Sequence, residues 1–111
     1  MKLHHLFEAG KIKLMIQNNG KRSIDTDLSQ KYPDFDDLIY DLYDHGKPEA
    51  EKAVLEWVKK LHRRHGESIH YEIAHYDDHT DTEIMFTVEA KFMDMDADQA
   101  AETIPCELYL E

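Results

Sequence analysis

Residues Ile69–Met93 constrain the fold more than any other stretch of the chain. Read at period two, Ile69, Tyr71, Ile73 and His75 fall on one face. Ile84, Phe86, Val88, Ala90 and Phe92 do the same in the following run. The acidic break Tyr76–Thr82 between them is predicted as the tip of a β-hairpin. Setting Ile73 opposite Ile84 and Tyr71 opposite Phe86 puts every large apolar residue on one side. A slip of one residue would carry one strand's whole set into water, so burial pins the register. The outcome is a wet face with His70, Glu72, Tyr76, Asp81, Glu83 and Thr87, and a dry face that needs a cover.

The flanking segments supply that cover and extend the sheet. Lys11–Gln17 alternates with Ile12, Leu14 and Ile16 on one face, and Asn18-Asn19-Gly20 is a turn signal. A three-residue loop with Gly20 at the left-handed bulge position sets Leu14 opposite Ile24, giving a first hairpin, Lys11–Gln17 with Lys21–Thr26. Pro33 suits the first position of a helix with the stripe Phe35, Leu38, Ile39 and Leu42, closed by His45-Gly46. Pro48 opens a second helix with the stripe Ala50, Val54, Trp57, Val58 and Leu61. It ends in Lys59, Lys60, Arg63, Arg64 and Gly66, where the helix dipole favours cations. Asp94–Asp98 is an acidic connection and Ala97–Thr103 is predicted as a single helical turn. Ile104, Cys106, Leu108 and Leu110 then alternate in a last strand. The order β-β-α-α-β-β-(short α)-β predicts an α+β domain over residues 1–111. Its antiparallel sheet has about five strands, with two helices packed on one face. Met1–Ala9, with Leu3, Leu6 and Phe7 before Gly10, suits a short N-terminal helix.

Charge narrows the function more than composition does. The formal net charge is −11, distributed as +4 over residues 1–24, −6 over 25–46, +3 over 47–64 and −12 over 65–111. The C-terminal part, with Lys91 as its one Lys or Arg, repels nucleic acid and acidic lipid headgroups and suits a basic protein partner or cations. No run reaches the length of a membrane span, so no membrane association is expected. The single cysteine, Cys106, leaves no internal disulfide and fits a reducing, cytoplasmic setting. P-loop, Rossmann and nucleophile-elbow patterns are all missing, so neither an enzyme activity nor a cofactor is expected.

Two clusters are candidate sites. Asp34, Asp37, Asp41 and Asp44 recur at steps of three and four, which places four carboxylates along one helix face. Such a row can stand in for a line of phosphates in the basic groove of a DNA-binding enzyme. Glu72, Asp81 and Glu83 on the wet sheet face extend it; the plainer alternative is a solvated acidic surface. The second cluster is the hairpin tip, where His75, Asp77 and His79 combine imidazole and carboxylate and are the candidate ligands of a divalent metal. Asp94-Met95-Asp96-Ala97-Asp98 opens like a calcium loop, but Gln99 and Pro105 stand where glycine and the bidentate glutamate are needed.

The amino terminus, Met1-Lys2-Leu3-His4-His5-Leu6-Phe7-Glu8-Ala9-Gly10, resembles the capsid-targeting leader of T-even-type phage internal head proteins. In that family a prohead protease cuts after Glu in Leu/Ile-x-Glu followed by a small residue. The resemblance therefore implies cleavage between Glu8 and Ala9. It also implies packaging in the virion head, injection with the genome into the host cytoplasm, and inhibition of a host nuclease. Members of that family are usually basic, whereas this chain is acidic, which suits imitation of DNA instead. The expectation is a small acidic binding protein that inhibits a basic host protein. A metal-binding module and an acidic assembly protein that forms a homodimer are the alternatives.

Overall fold

In a computed structural model, the structure describes residues 11–17, 20–62, 68–92 and 101–111, with the backbone alone at residue 101. The proposed leader, with Glu8 and Ala9, lies outside them, as do Asn18, Asn19, Arg63, Arg64, Gly66 and residues 93–100.

Five antiparallel strands form one sheet: β1 (Ile12–Gln17), β2 (Lys21–Asp25), β3 (Ile69–His79), β4 (Glu83–Phe92) and β5 (Ala101–Leu110). Their spatial order is β2-β1-β5-β4-β3, so β5, the last of these five in chain order, lies between the two hairpins. The expected α+β architecture is present. In the first hairpin Leu14 faces Ile24 and Gln17 faces Lys21, the register of a three-residue loop. Gly20 takes φ +110°, a conformation open to glycine and costly for other residues.

Helical segments cover one face. Asp34 caps α2 (Phe35–Ile39) by accepting a hydrogen bond from the Asp36 amide at 3.0 Å. The chain then widens into a π-helical turn, Tyr40–Asp44, closed by the His45 amide on the Tyr40 carbonyl. Gly46, at φ +53°, reverses the chain into α3 (Pro48–His62), while a short α1 (Leu28–Lys31) links β2 to this layer. Phe35, Leu38, Ile39 and Leu42 from one helical segment, and Ala50, Val54 and Val58 from α3, are buried. They pack against Ile12, Leu14, Ile16, Ile84, Phe86, Val88, Ile104, Cys106 and Leu108 of the sheet. The other sheet face carries no helix among the described residues.

Three expectations need correction. In the second hairpin Ile73 pairs with Val88 and Tyr71 with Ala90, four residues away from the expected partners. Both pairings keep the apolar residues on one side, so parity alone does not separate them; the structure chooses the longer ribbon and a tip confined to Thr80–Thr82. Second, Ala101–Thr103 are strand rather than the end of a helical turn, because Glu102 pairs with Ala90 and Thr103 with Glu89. Third, α3 buries His62 beside Val54 and Val58, whereas Trp57 and Leu61 are only partly covered.

Candidate functional site

Two irregularities in β3 build the site. The pairing skips a residue between Ile73 and His75 and again shifts between Tyr76 and His79. Each inserted residue frees backbone groups and turns the following side chains over. Tyr76, expected on the wet face, therefore enters the helix side, and its hydroxyl donates to Glu51 Oε2 of α3 at 2.7 Å. His75, expected to point inward, is instead exposed and lies 3.4 Å from Asp77.

The freed carbonyls are met by Tyr43, which the π-helical turn aims at the hairpin. Its hydroxyl lies 2.9 Å from the Asp77 carbonyl and 3.3 Å from that of Met85. Its ring sits between those of Tyr76, at 4.9 Å, and His79, at 4.5 Å. Tyr43, Tyr76, Asp77, Asp78 and His79 line an open cleft of about 550 Å³. Burial first, then the Asp77 and Asp78 carboxylates, push the Tyr43 phenol up to about 12, so it remains a neutral donor at physiological pH.

The second of these shifts parts His79 from His75 and Asp77, the candidate metal ligands. His75 and Asp77 stay together, while His79 turns to the Tyr43 ring. Among the described residues no three His, Cys, Asp or Glu side chains are grouped to hold a metal ion.

The open sheet face is the one away from the helical layer. Lys13, Tyr109 and Glu83 form one cross-strand row, and Met15, Glu107 and Met85 the next. Glu83 and Glu107 are diagonal neighbours within hydrogen-bonding reach. Partial burial, then the hydrogen bond and charge of Glu83, hold the Glu107 proton above the usual carboxylate range, and Lys21 only partly opposes this. Among the described residues no Lys, Arg or His side-chain nitrogen lies within 4 Å of the carboxylate oxygens of Asp78, Asp81, Glu83 or Glu107. Glu72 differs: Lys91, 3.0 Å away, lowers its pKa and neutralises it.

The carboxylate row of the first helix is interrupted. Asp37 and Asp44 are exposed, and Asp34 is exposed but engaged as the cap. Asp41 turns inward, where it accepts from the Tyr32 hydroxyl at 2.8 Å and pairs with Lys47 at 3.5 Å. An even α-helical row ends where the π turn begins, because the wider turn changes the phase of every later residue.

Sequence reasoning passed over Tyr43 and Glu107 as site residues. Tyr43 lies four residues beyond Ile39 on the apolar stripe, and Glu107 stands at an outward position of β5; either could have been found by that spacing. His62 is buried, with Nδ1 2.6 Å from the Tyr71 hydroxyl and Nε2 3.5 Å from Glu102. Cys106 is a buried free cysteine, and burial pushes its thiol up to about 12. Among the described residues no helix is long and apolar enough to cross a membrane. Comparison with protein-family models, curated proteins and solved structures found no match.

Proposed function

We propose that the chain is a small acidic binding protein whose partner is a basic protein. The surface assigned to receive it carries Asp81, Glu83 and Glu107, from the hairpin turn onto the open sheet face. The observation that carries this reading is the Glu83–Glu107 contact. Two carboxyl groups are held together on an uncovered face, with no cation of the described chain within 4 Å to neutralise them. Like charges held this way weaken the free protein and attract an incoming cation, so their cost is offset on binding. Several acids elsewhere are paired with lysines: Asp25 with Lys11 and Lys13, Asp41 with Lys47, Glu72 with Lys91.

The partner class we favour is a DNA-binding host enzyme, inhibited when these carboxylates occupy the basic groove meant for phosphates. A phage origin, delivery from the virion head and action in the host cytoplasm belong to the same proposal, with the leader resemblance as their support. The test is titration calorimetry against a panel of basic DNA-binding enzymes at stepped salt concentrations. Complexes that weaken steeply as salt rises, and weaken again in a Glu83→Gln/Glu107→Gln variant, are expected. Absence of any complex at low salt across the panel would overturn the reading.

A further inference from the structure

We propose that the tip cleft receives the guanidinium group of an arginine, stacked against the Tyr43–Tyr76–His79 rings and paired with Asp78; this rests on the basic-partner reading above. Three features of the cleft converge on that ligand.

The first is the wall. Three rings from two elements meet there, with Tyr43 between Tyr76 and His79. Aromatic faces attract cations, and a planar guanidinium stacks on them better than a compact ammonium does.

The second is rigidity. Tyr43 is fixed by the Asp77 carbonyl and Tyr76 by Glu51, so both hydroxyls are engaged by this chain's own acceptors. A ligand in the cleft therefore meets ring surface rather than free hydroxyls, and little ordering remains to be done on binding.

The third is the charge at the mouth. Asp77 has the His75 imidazole 3.4 Å away, whereas Asp78 has no Lys, Arg or His side-chain partner among the described residues. A lone carboxylate beside an aromatic wall matches a group that is both flat and positive.

The cleft is distinct from the Glu83–Glu107 contact, so the two can be tested apart. N-acetyl-arginine methylamide and N-acetyl-lysine methylamide are titrated into the isotope-labelled full chain, followed by NMR. The arginine probe is expected to shift the Tyr43 and His79 ring signals and the Asp78 amide, and to bind about threefold or more tighter than the lysine probe. Asp78→Asn should weaken it about threefold to fivefold, and Glu72→Gln should leave it unchanged. The Asp78 side chain makes no hydrogen bond among the described residues, so unchanged dispersion of the Asp78→Asn spectrum is expected.

A second arm uses a deca-arginine peptide at low salt. Equal affinity for the wild type and Asp78→Asn, or arginine-probe shifts confined to other surfaces, overturns the cleft while leaving the basic-partner reading in place. Failure of the peptide to bind the wild type at all would overturn both.

Discussion

The hydroxyl of Tyr43 lies 2.9 Å from the carbonyl oxygen of Asp77, joining a π-helical turn to an irregular edge strand more than thirty residues later in the chain. Neither irregularity stands alone: the strand exposes carbonyls, and the widened turn aims a donor at them. Tyr43→Phe removes that donor and should cost about 1 kcal/mol, as expected for one neutral, partly exposed hydrogen bond. Amide exchange should quicken locally around residues 76–85 while the amides of β1 keep their protection. Uniform acceleration across the sheet would contradict this division.

Three phenols shape the alkaline limit. Tyr32 and Tyr43 are raised to about 12, chiefly by burial, and Tyr76 is raised further by burial and Glu51. Above a pH of about 10 an unfolded chain loses phenolic protons that the folded chain retains. The unfolded state then binds fewer protons, so stability falls as pH rises. Urea unfolding should show a plateau up to a pH of about 10 and a decline beyond it. The slope is at most about 1.4 kcal/mol per pH unit for each phenol, and less for the partly exposed Tyr43. Tyr76→Phe should make the decline shallower.

Glu107 behaves in the opposite sense to a salt-bridged acid. Its folded pKa is raised, so its favourable contribution is present at low pH and is lost as pH rises through that value. Glu107→Gln should therefore gain about 0.5 kcal/mol at neutral pH and nothing at a pH of about 4, the size of a cross-strand like-charge contact. Thermal unfolding at the two pH values measures the difference.

Gly20 and Gly46 should answer differently to asparagine. Neither would bring a Cβ within 4 Å of another group, so the cost is in backbone conformation alone. Gly46, at φ +53°, sits in the left-handed well that asparagine tolerates; Gly20, at φ +110°, lies outside it. Gly46→Ala should cost about 1 kcal/mol and Gly46→Asn clearly less, whereas both substitutions at Gly20 should cost about the same. Denaturant midpoints of the four variants decide this.

Periodicity carried the reading of the fold and failed where a period breaks. Alternation identified the inward residues of β1, β4 and β5, and the turn chemistry of Gly20 fixed the Leu14–Ile24 register. The helical stripes of Phe35–Leu42 and Ala50–Val58 likewise face the core. Alternation says nothing about how far two strands slide past each other in steps of two, and the expected Ile73–Ile84 pair fell to that ambiguity. It also assumes no inserted residue. The next large apolar side chain after Ile73 is Tyr76, three positions on, which is the mark an inserted residue leaves in a strand. The candidate site depended on those insertions. The tip was legible as a concentration of imidazole and carboxylate, but the side each member faces was not, and Tyr43 comes from a distant element. The π turn left no local trace, because Tyr40–Asp44 is compatible with an ordinary helix until the geometry of its neighbours is known.

The placement of β5 between β1 and β4 has a consequence for synthesis. Until residues 101–110 emerge from the ribosome, the nascent chain holds two separate ribbons with no strand to join them, and each offers an unpaired inner edge. Pairing β1 with β5 closes a loop of nearly the whole described chain, an entropically demanding step that topology makes slow. The last strand therefore acts as a keystone, and the interval before its arrival is when this protein is most exposed to misassociation or to capture by chaperones.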